Sequence, residues 1–217
     1  LTVAAKSGPD PDANPRLRAA MSAAKSANMT KETLERAIAR GSGGGDSNNF
    51  EEIRYEGYGP GGIAVIVEAL TDNRNRTASE VRAAFSKFGG NLGETGSVNF
   101  MFDRVGQIIY RPDVASVDEM FEMALEAGAQ NVDSSEEAHE VLCDPEDFND
   151  VRDALEAKSL NPISAGLTWR PQSMVMLDEN GAETLLKLLD MLEDNDDVQS
   201  VSSNFEIDDG VLENLLG

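Results

Sequence analysis

The clearest pattern of strands, turn and helix lies in residues 53–88, IRYEGYGPGGIAVIVEALTDNRNRTASEVRAAFSKF. The alternation in IRYEGY (53–58) and the apolar run GIAVIVEAL (62–70) predict two strands joined by a Gly-Pro-Gly-Gly turn. ASEVRAAFSKF (78–88) has apolar residues at helical spacing and ends before a pair of glycines. The stretch therefore predicts a tight hairpin followed by a helix.

Elements of the same kind lie further along the chain. We predict a strand after this helix, and a strand, a helix and a strand near the C-terminus, at residues 97–102, 173–178, 181–194 and 198–207. Together with the hairpin and its helix, these elements predict one discontinuous α+β domain made of residues 49–103 and 171–217.

The residues between these two parts spell a complete β-α-β-β-α-β unit, which is typical of a ferredoxin-like fold. Its predicted strands are 105–111, 129–134, 138–144 and 162–170, and its predicted helices are 117–128 and 145–158. The two ends of such a unit lie close together, where insertions are tolerated. We therefore predict an α+β protein in which a ferredoxin-like domain, residues 104–170, is inserted into the middle domain.

Residues 1–48 predict a helical N-terminal domain. NPRLRAAMSAAKSAN (14–28) begins with Asn14 as an N-cap and Pro15 at the first helical position. TKETLERAIAR (30–40) predicts a second helix, and the short connection between the two predicts a helical hairpin.

The residues on either side of this hairpin carry weaker signals. LTVAA (1–5) reads as the tail of an earlier helix, and GSGGGDSNN (41–49) has the composition of a flexible linker. The chain starts at Leu1 without a methionine, so we expect it to be a fragment or a trimmed product.

The net charge of −22 is distributed unevenly. Residues 1–48 carry 7 Lys/Arg against 5 Asp/Glu, and residues 49–102 carry 5 against 7. Residues 103–171 carry 5 against 16, and residues 172–217 carry 1 against 12. Because phosphate binding depends on cations, we expect any polyanionic partner to meet the N-terminal half. The acidic half would face away from that partner or bind something else.

The sequence offers no catalytic or metal-binding constellation. The single histidine, His139, and the single cysteine, Cys143, lie in one predicted strand and are most simply packed there. The acidic run EDNDD (193–197) lacks the ligand spacing of a calcium loop, and GPGG (59–62) lacks the lysine of a phosphate loop. We therefore predict no catalytic residues, no metal, no cofactor and no enzymatic activity. A single cysteine fits a reducing compartment, and no run is long enough to span a membrane.

The charged connection TDNRNRT (71–77) is the strongest candidate for a binding site. Thr77 and Glu80 predict a capping box, which makes this connection a loop in front of a helix N-terminus. Backbone amides and the helix dipole favour an anion there, so we predict a phosphate clamp formed by Asn73, Arg74, Asn75 and Arg76. The alternative is that both arginines pair with Asp72 and Glu80, or hold the acidic insert to this domain.

Other cations extend the predicted nucleic-acid surface. RYEGY (54–58) places Arg54, Glu56 and Tyr58 on one strand face, where arginine and tyrosine can stack on unstacked bases or pack across strands. The solvent faces of the N-terminal helices and the end of the helix at 78–88 add the remaining predicted contacts, namely Arg16, Arg18, Lys25, Lys31, Arg36, Arg40 and Lys87.

Two long segments resemble a known family. RYEGYGPGGIAVIVEALTDNRNRTASEVRAAFSKFGGNLGETGSV (54–98) resembles the signature block of the YebC family. DANPRLRAAMSAAKSANMTKETLERAI (12–38) resembles its helical N-terminal domain. The likeness covers essentially the whole chain and implies a helical domain followed by two α+β domains, one inserted in the other. Family members begin with a basic segment ahead of the point where this chain starts, so we expect weaker nucleic-acid binding without it.

The resemblance also implies a role in gene expression. Bacterial members are classed as DNA-binding transcriptional regulators, which implies a cytoplasmic protein. The mitochondrial relatives, which would lie in the matrix, are translational activators of cytochrome oxidase subunits. Bacterial members have also been tied to ribosomes that stall on proline-rich stretches. The residues alone leave two alternatives open: a ribosome-associated factor that binds ribosomal or transfer RNA, and a protein-interaction or small-ligand module. We expect a monomer and no membrane partner.

Overall fold

The computed structural model describes residues 1–27, 29–42, 50–158, 160–208 and 210–211. Its helices and mostly antiparallel sheets make an α+β fold, as predicted. Contacts divide the chain into two compact units, one of residues 1–47 with 104–168 and one of residues 48–103 with 169–217. The finer division into three domains stays a prediction.

The helices and strands, in chain order, are α1 (Thr2–Ala5), α2 (Pro15–Ser26), α3 (Lys31–Ser42), β1 (Glu51–Tyr58), β2 (Ala64–Thr71), α4 (Arg74–Lys87), β3 (Asn91–Leu92), β4 (Phe102–Tyr110), α5 (Val117–Glu126), β5 (Asn131–Ser134), β6 (His139–Cys143), α6 (Phe148–Ala157), β7 (Ser164–Pro171), β8 (Val175–Leu177), α7 (Glu179–Glu193), β9 (Val198–Ser203) and β10 (Phe205–Ile207).

Asn14 organises the N-terminal helices of the first unit. Its Oδ1 accepts a hydrogen bond from the Leu17 N–H at 3.1 Å, so it caps α2 as predicted. Its amide nitrogen donates to the carbonyl oxygens of Ala4 at 2.7 Å and Gly8 at 2.8 Å. Because Asn14 is buried, these bonds fasten α1 to the start of α2.

Helix α1 packs against the two helices of the predicted hairpin, because it contacts both α2 and α3. One expectation about this region is corrected. Helix α3 continues through Gly41 and Ser42, which were predicted to begin the linker. Gly41 lies against α1, because a Cβ built there would collide with the Thr2 carbonyl oxygen. The rest of the predicted linker, residues 43–49, lies outside the described residues.

The ferredoxin-like pattern predicted for the insert is present in the first unit. Its strands form one sheet in the order β5-β6-β4-β7, and β6 pairs antiparallel with both β4 and β5. Helix α5 begins at a capping box between Ser116 and Glu119. The core beneath the helices is formed by fully buried side chains, among them Ile108, Tyr110, Met120, Val141 and Leu155.

The second unit is a sheet in the order β3-β1-β2-β9 with two helices on one face. The predicted hairpin is the antiparallel pair β1–β2, and Val65 and Val67 of β2 point to the helical side. There they pack against Phe85 of α4 and Leu185 and Leu188 of α7. This core places the N-terminus of α4 beside the end of β2.

Two predicted strands of the second unit differ in the structure. Residues 97–102 do not form a strand, because Asn99–Met101 form a short 3-10 turn before β4 begins at Phe102. The strand predicted at 198–207 is divided at Asn204 into β9 and β10. Asn204 is fully buried and its Oδ1 accepts from the Ala64 N–H at 2.8 Å, so it ends one pairing before β10 joins β8 in a separate parallel pair.

Candidate nucleic-acid interface

Helix α4 begins earlier than the sequence predicted. Its first residue is Arg74, and the Oδ1 of Asn73 caps it by accepting from the Arg76 N–H at 3.1 Å. The predicted capping box of Thr77 and Glu80 is wrong, because both side chains bind residues of the connection between α7 and β9. Most of the predicted loop is therefore the first turn of a helix.

A buried carboxylate explains why α4 is capped by Asn73 and not by Thr77. Asp197, 8% exposed, lies under the start of α4. Its Oδ2 accepts hydrogen bonds from the hydroxyls of Thr77 at 2.6 Å and Thr71 at 3.1 Å. Burial alone would raise the pKa of Asp197, but the hydrogen bonds from Thr77, Arg76 and Thr71 hold it below its ordinary value. The first turn of α4 is thus fixed to an ionised side chain from the acidic C-terminal segment.

Arg76 is part of this network. Its guanidinium donates to Asp197 Oδ2 at 2.7 Å and to Asp72 Oδ1 at 3.2 Å. Pairing with Asp72 was one of the alternatives open from the sequence, whereas Glu80 instead accepts from the Asn195 side-chain amide at 2.7 Å. Two carboxylates compensate the charge of Arg76, so its contribution to anion binding is reduced.

Arg74 and Asn75 face solvent on the same turn. The Arg74 side chain is 71% exposed and lies 3.9 Å from the Glu51 carboxylate, which is a long and weak contact. The backbone amides of Arg74 and Asn75 stand at the helix start, where no intrahelical acceptor exists. This part of the turn can receive a phosphate oxygen. Lys87 lies in the last turn of α4, roughly 20 Å away at the helical rise per residue, so it does not join this cluster.

The surroundings of the turn limit what it can bind. An open cleft of about 750 Å³ beside Arg76 is lined by acidic side chains. They include Asp72, Glu80, Asp194, Asp196 and Asp197. A polyanion would be repelled from this cleft, so only the Arg74 side of the turn is suited to phosphate.

A second group of predicted residues lies on the sheet face that α4 and α7 leave free. The Arg54 guanidinium lies 4.9 Å from the centre of the Trp169 ring and donates to Glu56 Oε1 at 2.9 Å. The Trp169 indole N–H donates to Glu68 Oε1 at 3.3 Å. Trp169 was not among the residues predicted for this surface, because its proximity to Arg54 depends on where β7 ends relative to β1.

Glu56 holds the loop that crosses this face. The residue is 1% exposed and its Oε2 accepts from the backbone N–H groups of Val98 at 3.0 Å and Asn99 at 2.9 Å. Burial would raise the pKa of Glu56, but these backbone hydrogen bonds and Arg54 keep it lowered. Tyr58 donates its hydroxyl to the Ser97 carbonyl at 3.2 Å, so it too is bound to this loop.

The remaining predicted cations lie on the N-terminal helices of the other unit. Arg16 and Lys25 are exposed on α2, and Arg18 donates to the carbonyl oxygens of Pro11 at 3.1 Å and Asp12 at 3.0 Å. These carbonyls are neutral acceptors, so they leave the charge of Arg18 uncompensated.

On α3 the predicted cations have carboxylate neighbours. Arg36 pairs with Glu32 at 2.9 Å, and Lys31 lies 3.8 Å from Glu35. Both pairs are highly exposed and therefore weak. The side chain of Arg40 lies outside the described part of the structure.

His139 and Cys143, which were predicted to be packed and not catalytic, lie in a strand of the ferredoxin-like sheet. His139 is buried, with Nδ1 at 2.8 Å from the Ser134 hydroxyl and Nε2 at 3.1 Å from the Ala115 carbonyl oxygen. Burial raises the pKa of the Cys143 thiol to about 11, which favours the protonated thiol at neutral pH. Among the described residues, no helix is both long and apolar enough to cross a membrane.

Comparisons with known proteins agree with this architecture. The family model for the TACO1/YebC second and third domain matches residues 50–205, and the model for the TACO1/YebC protein N-terminal domain matches residues 1–44. The chain is also similar to a solved structure, a conserved hypothetical protein from Aquifex aeolicus, with 48% identity and a TM-score of 0.89. That similarity covers 96% of this chain and 86% of the other. The resemblance noted from residues 12–38 and 54–98 is confirmed, and the chain belongs to the TACO1/YebC family.

Proposed function

We propose that this chain is a non-enzymatic regulator of gene expression that binds nucleic acid. Membership of the TACO1/YebC family supports a role as a transcriptional regulator or a translational activator. The observation that carries nucleic-acid binding is the first turn of α4, where Arg74, 71% exposed, stands beside Asn75 and the helix-start amides.

In this proposal the residues of the turn have different roles. Arg74 and Asn75 contact a backbone phosphate, while Arg76 and Asn73 hold the turn in place through Asp197 and the helix cap. The cations of α2 and α3 add contacts elsewhere on the polyanion. The acidic remainder of the chain, which gives the net charge of −22, weakens binding to non-specific sites.

RNA bound at the ribosome is the second candidate partner, and the Arg54–Trp169 pair favours it. An arginine stacked on an indole ring at 4.9 Å offers a surface for an unpaired base, which single-stranded RNA presents and duplex DNA does not. Duplex DNA remains the partner that the family's classification as a regulator supports. In either case we propose that the chain acts in the cytoplasm as a monomer.

The test is co-sedimentation of the chain with ribosomes across a salt series, with duplex DNA as competitor. We expect Arg74→Ala to weaken binding and to lower the slope of log K against log salt by about 0.7–0.9, the loss of one phosphate contact. Arg82→Ala is the matched control, because Arg82 is an exposed arginine two turns further along α4.

The outcomes separate the candidates. Co-sedimentation that duplex DNA does not reduce favours the RNA partner, and loss of co-sedimentation favours DNA. Equal effects of Arg74→Ala and Arg82→Ala would refute the turn as the contact. Absence of binding to either nucleic acid would leave the protein-interaction module as the correct class.

A further inference from the structure

Helix α5 carries a row of large apolar side chains on its exposed surface. Val117, Phe121 and Leu125 are 58%, 51% and 62% exposed, and they are spaced four residues apart. Residues at this spacing lie one above another on the same face of a helix. We call these three residues the α5 ridge.

The α5 ridge is not part of the hydrophobic core of the unit. Helix α5 fills the core with Met120 and Ala124, which are fully buried on an adjacent face of the helix. A single exposed apolar side chain is ordinary, but three in a row on one helix form a contiguous patch of the kind found at interaction sites.

The charges beside the ridge restrict its partner. Asp118 and Glu122 are exposed on the same helix next to the ridge, and neither forms an ion pair with another described residue. The other two carboxylates of α5 are engaged, since Glu119 forms the capping box and Glu126 pairs with Lys158 at 2.5 Å. Two anions are therefore available to a partner.

The wider charge of this part of the chain points the same way. Residues 103–171 contain 16 Asp/Glu against 5 Lys/Arg. A second copy would bring an equally acidic surface to the ridge, and like charges brought together at an interface oppose binding. A cationic partner is attracted instead.

We propose that the α5 ridge docks a cationic amphipathic helix of another protein. Apolar residues of that helix, spaced three or four apart, pack against Val117, Phe121 and Leu125 as ridges enter grooves. Its Lys or Arg side chains face Asp118 and Glu122. None of these residues is among the cations of the proposed nucleic-acid contact, so a failure of one proposal leaves the other intact.

A designed peptide tests the proposal directly. The probe is a fluorescein-labelled 14-residue peptide of leucine and lysine arranged as an amphipathic helix, and the control probe is its scrambled sequence. Binding to the full chain is followed by fluorescence anisotropy at low and physiological salt. We expect the amphipathic peptide to bind at least ten times more tightly than the scrambled one.

The variants separate the apolar contact from charge attraction. Phe121→Ser with Leu125→Ser leaves the net charge unchanged and should weaken peptide binding at least tenfold. Met174→Ser with Met176→Ser removes two apolar side chains exposed to a similar extent, 51% and 58%, and should leave binding within twofold. Asp118→Asn with Glu122→Gln should weaken binding at low salt and reduce its salt dependence.

Three results would overturn the proposal. The first is equal binding of the amphipathic and scrambled peptides, and the second is unchanged binding by the Phe121/Leu125 variant. The third is a dimer in analytical ultracentrifugation that this variant abolishes, which would assign the ridge to a second copy. Should the double variant unfold, Leu125→Ser alone replaces it, since Leu125 is the most exposed residue of the ridge.

Discussion

At the scale of single residues, Asp197 has the largest effect on the candidate site. It accepts hydrogen bonds from Thr77 and Arg76, which precede it by 120 and 121 residues. These bonds convert one of the two arginines of the turn from a ligand for phosphate into a partner of the protein's own carboxylate. Arg74, two residues before Arg76, lies 3.9 Å from its carboxylate neighbour Glu51 and remains the candidate contact.

Replacing Asp197 with asparagine should destabilise the second unit. Charge-assisted hydrogen bonds contribute about 1.5–3 kcal/mol each, and part of that is retained by the amide, so we expect a loss of about 2–3 kcal/mol at neutral pH. Urea unfolding followed by circular dichroism measures this loss. Asp196→Asn, an exposed neighbour, should have little effect, and equal losses in both variants would contradict the role of Asp197.

The same variant has a defined pH dependence. The pKa of Asp197 is lowered on folding, so its stabilisation is fully present above its unfolded pKa and is lost as pH falls through its folded pKa. The difference in stability between wild type and Asp197→Asn should therefore shrink below about pH 4. A stability difference that grows as the pH falls would contradict a lowered pKa of Asp197 in the folded state.

At the scale of elements, the start of α4 shows the limit of local signals. Both Asn73 and Thr77 are good N-cap residues, and the sequence provides Glu80 at the correct position for a capping box at Thr77. The structure uses Asn73 because Thr77 is buried against Asp197. The cap of α2 was predicted correctly, because Asn14 stands directly before Pro15, which fits the first position of a helix.

Removing the cap of α4 tests this assignment. Asn73→Ala should cost about 1 kcal/mol, because the Arg76 N–H loses its acceptor at the helix start. Thermal unfolding measures this cost, and Ser79→Ala, an exposed change on the same helix, should leave stability unchanged or slightly higher. If Ser79→Ala proves as harmful as Asn73→Ala, Asn73 does not cap the helix.

At the scale of the whole molecule, charge is the dominant feature. A net charge of −22 in 217 residues produces self-repulsion that counterions screen. The cations that could meet nucleic acid are few and are distributed over α2, α3 and the start of α4. Such dispersed contacts fit a protein that recognises the shape of a nucleic acid. They fit less well a protein that reads a base sequence with one recognition helix.

Salt should therefore act in opposite directions on stability and on nucleic-acid binding. Raising NaCl from 10 to about 150 mM shortens the screening length from about 30 to about 8 Å. We expect it to raise Tm by several degrees and to weaken nucleic-acid binding. Calorimetry in parallel with the sedimentation series checks both, with sucrose of equal osmolarity as the control. A Tm that does not respond to salt would show that self-repulsion does not limit stability.

Several features were predicted correctly because they depend only on periodicity, local chemistry or composition. They include the β1–β2 hairpin, the β-α-β-β-α-β pattern of the insert, the Asn14 cap and the uneven charge. The first three follow from alternation, helical spacing, and turn and cap residues, which act over a few positions, and the charge follows from composition alone. They sufficed for the fold class, whereas the family was recognised from the resemblance of residues 12–38 and 54–98 to its known members.

Three other features depend on the tertiary structure, namely which cap α4 uses, which carboxylate holds Arg76, and which ring lies over Arg54. Each of these depends on residues more than a hundred positions apart that the sheet and its helices bring into contact. A helical pattern shows which residues avoid the core, but it does not show whether a partner covers them. Arg74 and the α5 ridge are exposed because no other element of the described structure packs over them. Local sequence patterns do not contain this information.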